Sequence, residues 1–232
     1  MPTALITGGT RGFGLALAKA LVDRDWSVIV DGRDPRALDS AAVLLGARTT
    51  AIAGDVTDKV HRRRLIEAVD RFDGLDLLVN NASSLGPTPL PGLDRYPLAG
   101  LRDVLETNLV APLALIQSLL TNIRSASGKI VNISSDAALE PYEGWGGYGA
   151  SKAALDLISA VLGEEQKSIN VYAFDPGDMR TDMHQAAYPG EDISDRPRPE
   201  AIVPALLTLL DHAPPSGRYR ASDFLVAAEV AS

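Results

Sequence analysis

Short apolar runs alternate with longer segments of helical periodicity along this 232-residue chain. Alternation of this kind predicts βαβ units and therefore a parallel sheet. We expect strands at 4–6, 27–30, 50–53, 75–80, 129–134 and 170–174, with a last short strand at 218–226. Helices are predicted between and after them at 12–24, 35–45, 59–72, 98–124, 149–166 and 199–211.

Right-handed crossovers between parallel strands limit how such a chain can be wound. They predict an α/β fold with a Rossmann-type, doubly wound parallel β-sheet of about seven strands, flanked by helices on both faces. Ligands of these sheets bind at the carboxyl ends of the strands, so functional residues are expected just after each strand. An α/β fold of this length commonly forms one unit, and we predict a single domain over 1–232.

A glycine-rich segment, TGGTRGFG, follows the first strand and opens the first helix. Glycines at positions 8, 12 and 14 permit a tight turn and let backbone amides and the helix N-terminus approach a pyrophosphate. A flexible turn would also explain the glycines, and a glycine motif alone is a weak signal. Its position between a strand and a helix favours dinucleotide binding.

The segment YGASK places Tyr148 and Lys152 four residues apart, on one face of a helix. A phenol with a pKa near 10 is a poor base at neutral pH, but a neighbouring ammonium and a cationic nicotinamide favour the phenolate. Ser135 follows the strand KIVNIS, where its hydroxyl would point into a site at the sheet edge. Pro112 lacks an N–H and so frees the carbonyl of Asn108, a natural seat for an ordered water.

Together these segments resemble the short-chain dehydrogenase/reductase family, and the resemblance covers nearly the whole chain. It is carried by TGGTRGFG, GDVTD, VNNA, ETN, NISS, YGASK and DPGDMRT. The resemblance implies one dinucleotide-binding and catalytic domain. It also implies an oxidoreductase that interconverts a small-molecule ketone or aldehyde with an alcohol, the hydride chemistry belonging to the nicotinamide cofactor.

Residue roles follow from the resemblance position by position. Ser135 would orient the substrate oxygen, and Tyr148 would act as the general acid/base. Lys152 would lower the pKa of Tyr148 and hold the nicotinamide ribose, and Asn108 would support a proton-relay water through its carbonyl. Cofactor contacts are implied at Gly8, Thr10, Arg11, Gly12, Phe13, Gly14, Arg33, Asp55, Val56, Asn80, Asn81, Ala82, Tyr148, Lys152, Pro176, Gly177, Met179 and Thr181.

The end of the second strand, VIVDGRD, decides which nicotinamide cofactor is preferred. An acid there reads a ribose hydroxyl, whereas an arginine reads the extra phosphate of NADP(H). If the apolar run of this strand ends at Val30, Asp31 takes the last strand position. Gly32 then stands where NAD-preferring members usually carry their acid, and Arg33 faces the adenosine 2′ position. Arg11 can reach the same place, and two guanidiniums suit a phosphate dianion.

NADP(H) is therefore the expected cofactor, with Asp31 and Asp34 interpreted as turn residues and Asp34 as the cap of the next helix. If the strand end slips by one residue, Asp31 would face the ribose and NAD(H) would be preferred. A non-catalytic dinucleotide-binding scaffold or sensor is a further alternative. Retention of all four catalytic positions argues against it.

The residues between Ser135 and the YGASK helix include Tyr142 and Trp145, candidates for an apolar wall over the substrate. Packing of this loop onto the body is about as good an explanation. Met183 lies in the following loop, where the family's substrate lid sits. The sequence departs from the family pattern at Asp136, where a small or apolar residue is common, and at its C-terminal SDF.

Composition excludes several partners. The formal net charge of −8 gives no general attraction for nucleic acid or anionic membranes, which need clustered Lys and Arg. The chain has no cysteine, and its three histidines lack metal-ligand spacing, so no metal site is expected. We see no signal peptide and no apolar run approaching the roughly 18 residues of a membrane helix, which makes the cytoplasm the expected location.

Segments 98–124 and 149–166 carry more Leu, Ala and Ile than one core-facing stripe needs. Family members often pair these helices across a two-fold axis. We therefore expect a homodimer or homotetramer.

Overall fold

A seven-stranded sheet forms the centre of the computed structural model, which describes residues 1–229. All six neighbouring pairs of strands are parallel, in the order β3-β2-β1-β4-β5-β6-β7, so the predicted doubly wound sheet is confirmed. The strands are β1 (Thr3–Ile6), β2 (Ser27–Gly32), β3 (Thr49–Ala53), β4 (Leu77–Asn80), β5 (Lys129–Ile133), β6 (Asn170–Asp175) and β7 (Gly217–Arg220).

Helices cover both faces of the sheet, so successive residues of a strand enter different core layers. Ile6 belongs to the layer of Leu17 and Leu206, whereas its neighbour Leu5 belongs to the layer of Leu65. The helices are α1 (Gly12–Val22), α2 (Pro35–Leu45), α3 (Lys59–Val69), α4 (Leu98–Leu105), α5 (Ala111–Ser125), α6 (Gly146–Glu165), α7 (Asp182–Ala187), α8 (Pro199–His212) and α9 (Ser222–Glu229).

The C-terminal segment is where the secondary-structure prediction was wrong. The expected strand 218–226 ends at Arg220, and α9 begins two residues later. The Asp223 carboxylate accepts a hydrogen bond of 2.8 Å from the Arg220 backbone N–H, which turns the chain out of the sheet. Met183, which the sequence analysis placed in a loop, instead lies in α7, a short helix that the sequence did not indicate.

The predicted long helix 98–124 is continuous but contains a π-helical turn at Glu106–Val110 between α4 and α5. The stretch Leu98–Ser125 is 28 residues long and contains an 18-residue window with a mean hydropathy of 1.4, so the expectation that no run reaches membrane-spanning length was wrong by length and composition. Leu115, Leu119 and Ile123 of this stretch are buried in the core, which is the packing of a helix that covers a sheet.

Candidate active site

A cleft of about 970 Å³ runs along the carboxyl edge of the sheet, where doubly wound folds bind ligands. Most of the residues singled out from the sequence line it. They are Gly8, Thr10, Arg11, Gly12, Phe13, Arg33, Asp55, Val56, Asn81, Ala82, Ser135, Tyr142, Trp145, Tyr148, Lys152, Pro176, Gly177, Met179, Thr181 and Met183. Gly14, Asn80 and Asn108 lie behind the lining.

The glycine-rich turn after β1 has the backbone that glycine allows. Gly8 and Gly12 have φ of +66° and +54°, a region that residues with a Cβ rarely adopt. A Cβ on Gly14 would lie 2.6 Å from the Gly8 carbonyl oxygen, so this glycine lets the helix pack against the turn. No side chain caps the first turn of α1, which leaves its N-terminus open to an anion.

The turn after β4 is tied to the glycine-rich turn through Thr7 and Asn81. The Thr7 hydroxyl accepts hydrogen bonds from the backbone N–H groups of Asn81 (3.1 Å) and Ala82 (3.0 Å). The Asn81 amide donates to the carbonyl oxygens of Thr7 (2.9 Å) and Gly8 (3.1 Å). Asn80 is buried and donates to Asn132, so Asn81 is the asparagine that reaches the cleft.

Asp31 has a role that the sequence did not reveal, and its interpretation as a turn residue was wrong. Its carboxylate is 1% exposed, accepts a hydrogen bond of 2.7 Å from the Gly8 N–H and lies 2.9 Å from Nε2 of His61 on α3. Gly54 packs directly on the His61 ring. The pair therefore links the first turn to α3 beneath the cleft, and both oxygens of Asp31 are already engaged.

Strand β2, which carries Asp31, extends to Gly32 instead of ending at Val30 as predicted. The longer strand does not free Asp31 for a ribose, because both of its carboxylate oxygens are engaged by Gly8 and His61. Arg33 follows with its side chain 73% exposed and 3.9 Å from the Asp55 carboxylate, at the cleft. A Cβ on Gly32 would collide with the side chain of Thr10. Asp34 accepts from the Arg36 N–H at 2.9 Å, which confirms it as the cap of α2.

Tyr148 and Lys152 lie one turn apart on the buried face of α6. The Lys152 Nζ is 5.5 Å from the Tyr148 ring centroid and donates to the Ile133 carbonyl oxygen at 2.7 Å. Burial lowers the pKa of Lys152 to about 8, against an opposing effect of the Asp156 charge. Burial therefore disfavours the charged form of Lys152, whose ammonium lies beside the Tyr148 phenol that it is expected to stabilise as a phenolate.

Burial raises the pKa of Tyr148 above its ordinary value. The hydroxyl groups of Ser135 and Ser83 act in the opposite direction but do not outweigh burial. This direction is opposite to the depression of the Tyr148 pKa expected from the sequence. A cationic ring in the cleft would add the charge that favours the phenolate.

Ser135 follows β5, as expected, but its hydroxyl is engaged by its neighbour. It donates to Oδ1 of Asp136 at 2.9 Å and accepts from the Ala137 N–H at 3.2 Å. A hydroxyl has one proton to donate. Donation to a substrate oxygen therefore requires that Ser135 turn its proton away from Asp136.

Asn108 lies in the π-helical turn and is 1% exposed. Its side chain accepts from the Ser84 N–H (2.8 Å) and the Ser83 hydroxyl (3.2 Å), and donates to the Ser84 carbonyl (2.9 Å) and the Ser151 hydroxyl (2.9 Å). Ser151 lies between Tyr148 and Lys152 on α6. The side chain of Asn108 thus braces α6 against the loop after β4, a contact beyond the carbonyl function inferred from the sequence.

Aromatic side chains form one wall of the cleft beside Tyr148. Trp145 makes an edge contact with the Tyr148 ring at 5.6 Å and contacts Tyr188, from the loop after α7, at 5.9 Å. Met183 packs in the same small apolar cluster. Tyr142 is at the surface, where its hydroxyl donates to Asp136 (2.9 Å) and Glu140 (3.0 Å). The contact of Tyr188 with Trp145 was not predicted from the sequence, which placed Tyr188 only in the segment of the family's substrate lid.

Comparison with protein families agrees with this geometry. The family model described as short chain dehydrogenase matches residues 2–192. Serine 3-dehydrogenase from Rhizobium radiobacter is 35% identical over 185 residues, which cover 78% of this chain and 73% of that protein. Sepiapterin reductase from Mus musculus is 35% identical over 199 residues, which cover 79% of this chain and 76% of that protein.

Solved structures with the same fold include a short chain dehydrogenase from Pseudomonas syringae, with a TM-score of 0.87 and 29% identity, covering 94% of this chain and 93% of that one. Another, from Shigella flexneri, is described as complexed with NADP. Its TM-score is 0.89 at 26% identity, and the match covers 95% of this chain and 97% of that one.

Proposed function

Since this chain belongs to the short-chain dehydrogenase/reductase family, an NAD(P)-dependent oxidoreductase family acting on CH–OH and C=O groups, we propose that it uses NADP(H) to interconvert a small ketone or aldehyde with an alcohol. The observation that carries the proposal is the burial of Tyr148 and Lys152 together in the cleft, beside Ser135. No other arrangement of titratable groups among the described cleft residues suits proton transfer to a carbonyl oxygen as well.

The cofactor half of the cleft fits a dinucleotide. The uncapped N-terminus of α1 and the glycine turn would hold the pyrophosphate, because they present amides where no side chain blocks the approach. Asp55 and Val56 would flank the adenine, and Pro176 and Gly177 would enclose the nicotinamide. The cofactor would supply or accept the hydride, and the protein would supply binding, orientation and the proton.

Tyr148 would transfer that proton. In carbonyl reduction its phenol donates a proton to the substrate oxygen, and in alcohol oxidation the phenolate accepts one. The Ser135 hydroxyl would orient the same oxygen once its proton leaves Asp136. Lys152 would stabilise the phenolate electrostatically, and Asn108 would keep α6 in place against the loop after β4.

Three observations support NADP(H) as the preferred cofactor. Arg33 and Arg11 are exposed and line the cleft, so both are available to a 2′-phosphate. Asp31 has its carboxylate buried against Gly8 and His61, and does not compete as a ribose ligand. Two structural neighbours are described as complexed with NADP and NADPH.

Arg33→Ala tests this preference. We expect the KM for NADPH to rise about 10- to 100-fold, since a charge-assisted contact to the 2′-phosphate is lost. The KM for NADH should change less than threefold. Steady-state kinetics with both cofactors and one carbonyl substrate would measure the two effects.

Arg36→Ala is the matched control, because Arg36 is the next arginine along the chain but lies outside the cleft lining. It should leave both KM values unchanged. A ratio of the NADPH and NADH KM values that is unaltered in Arg33→Ala would show that another residue reads the phosphate.

The function itself is tested by following nicotinamide absorbance with the purified protein and a panel of ketones and aldehydes. Turnover of a panel member is the expected result. Saturable NADPH binding without turnover of any member would support the alternative of a non-catalytic sensor instead.

We also propose that the chain forms a homodimer or homotetramer through the two long helical segments. Leu157 and Val161 on α6 are 67% and 46% exposed, and Leu98 on α4 is 66% exposed, although all three are large apolar residues. Exposed apolar positions on adjacent helices are typical of a covered face. These are also the helices that family members often pair across a two-fold axis.

Leu157→Glu is expected to shift the assembly to a smaller species in light scattering, since it places a charge in the covered face. Val43→Glu provides the control: Val43 is 85% exposed on α2, away from these helices. A monomeric wild type at micromolar concentration, or an unchanged mass for Leu157→Glu, would contradict this assembly.

A further inference from the structure

Arg218 lies on β7, the last strand of the sheet, yet its side chain reaches back toward the active site. Its Nη2 donates to the Ser135 carbonyl oxygen at 2.9 Å and to Oδ2 of Asp175 at 3.0 Å. Its Nε donates to Oδ2 of Asp156 at 2.9 Å. One guanidinium therefore joins Ser135 after β5, Asp175 at the end of β6 and Asp156 on α6.

Each acceptor adjoins a group with a proposed catalytic or cofactor role. The Ser135 carbonyl belongs to the residue whose hydroxyl faces the substrate. Asp156 lies one helical turn beyond Lys152, on the same face of α6. The other oxygen of Asp175 accepts from the Gly177 N–H at 3.0 Å and so fixes the turn that would enclose the nicotinamide.

The cluster is shielded from water. The side chains of Arg218, Asp156 and Asp175 are 20%, 12% and 5% exposed. Burial alone would lower the pKa of Arg218, but its hydrogen bonds and attraction to the two carboxylates outweigh burial and raise it. Removal of this cation would leave two poorly hydrated carboxylates close together, Asp156 on α6 and Asp175 at the end of β6.

Those two carboxylates act on the proposed catalytic pair. The Asp175 charge raises the pKa of Tyr148, and the Asp156 charge raises that of Lys152. The guanidinium opposes both effects because it carries the opposite charge at hydrogen-bonding distance from each carboxylate. Arg218, which lies outside the cleft lining, is therefore connected to the proposed catalytic pair both by hydrogen bonds and by charge.

We propose that Arg218 is a positioning residue of the active site, which holds Ser135, the Gly177 turn and the Lys152 face of α6 in register and balances Asp156 and Asp175. Arg218 is not among the residues that line the cleft, so its role is exerted through the groups that it contacts. The inference rests on the proposed function, because the groups that it positions are those of the hydride-transfer site.

Arg218→Met, Arg218→Lys and Arg220→Met together test this role. We expect Arg218→Met to lower kcat about 10- to 100-fold, because displacements near 1 Å are costly in an active site. The Kd for NADPH, from fluorescence titration, should stay within threefold. Arg218→Lys should recover part of kcat, since an ammonium can meet one carboxylate but lacks the planar fork that bridges three acceptors.

Arg220→Met is the matched control, because Arg220 is on the same strand and its side chain is exposed. It should leave kcat unchanged. The pH midpoint of alcohol oxidation should rise in Arg218→Met, where Asp175 and Asp156 act on Tyr148 and Lys152 unopposed, and should stay constant in Arg220→Met. A role confined to strand stability would lower Tm without moving this midpoint.

Hydrogen exchange of the cofactor-free protein gives a readout independent of turnover. Amides in 134–140 and 175–178 should exchange faster in Arg218→Met and normally in Arg220→Met. If the kcat of Arg218→Met stays within twofold of the wild-type value, or if exchange in these two segments is unchanged, the positioning role is wrong. If Arg218→Met does not fold, kcat and hydrogen exchange of Arg218→Lys test the role instead. Should the wild type turn over no carbonyl, the proposed function fails, while the exchange comparison still tests Arg218.

Discussion

Replacing Tyr148 with Phe is expected to lower kcat about 10³-fold, the scale of a lost general acid/base. The substitution removes one hydroxyl from a ring that is 8% exposed and packed against Trp145, so the shape of the site is kept. The Kd for NADPH should therefore change little. Steady-state kinetics and fluorescence titration of the same preparation would separate the two effects.

Tyr219→Phe controls for the loss of a phenolic hydroxyl elsewhere. The Tyr219 hydroxyl donates to the Pro215 carbonyl oxygen at 2.8 Å, outside the cleft lining, and its removal should leave kcat unchanged. Full turnover by Tyr148→Phe would instead assign the proton transfer to another group and reject the mechanism.

Replacing Lys152 with Met should lower kcat/KM about 100-fold. The variant keeps an apolar stem of similar length but removes the cation 5.5 Å from the Tyr148 ring, so the phenolate loses its electrostatic support. Unlike Tyr148→Phe, it should also weaken NADPH binding, because the family role of this lysine includes the nicotinamide ribose. An unchanged kcat/KM would remove Lys152 from the mechanism.

The same variant has a pH signature in the cofactor-free protein. Burial lowers the pKa of Lys152 to about 8 in the folded state, whereas in the unfolded chain its pKa is at the ordinary value of 10.5. The unfolded state therefore binds more protons in this window, and stability rises with pH. The free energy of unfolding of the wild type, relative to Lys152→Met, should increase from pH 7.5 to 9.5 in urea titrations. A constant difference would contradict the buried, pKa-shifted lysine.

The fold was readable from sequence because the strands are buried on both faces. Continuous apolar runs such as that of β1 mark a parallel sheet, and the intervening helical periods give the crossovers. The last strand was misjudged because apolar residues continue past Arg220 into α9, and only the Asp223 contact with the backbone marks the boundary. A side chain that ends a strand in this way has no periodicity to detect.

Local motifs likewise brought out the residues that line the cleft, since each follows a strand at the carboxyl edge. The contacts between distant segments could not be predicted. Asp31 and His61 are 30 residues apart, and Arg218 and Ser135 are 83 apart. Their pairing depends on the sheet order and on which side chains are buried, neither of which a single sequence specifies.

The close fit of Gly32 against Thr10 has a consequence for how this protein could change its cofactor during evolution or in the laboratory. A family member that prefers NAD carries its acid at the position of Gly32, but here Thr10 fills the space that any side chain would need. An acid introduced first would have to displace the Thr10 side chain within the glycine-rich turn, and we expect this to impair binding of either cofactor. The two positions are therefore epistatic: a smaller residue at position 10 must come first, and the order of mutational steps decides whether the intermediate is functional.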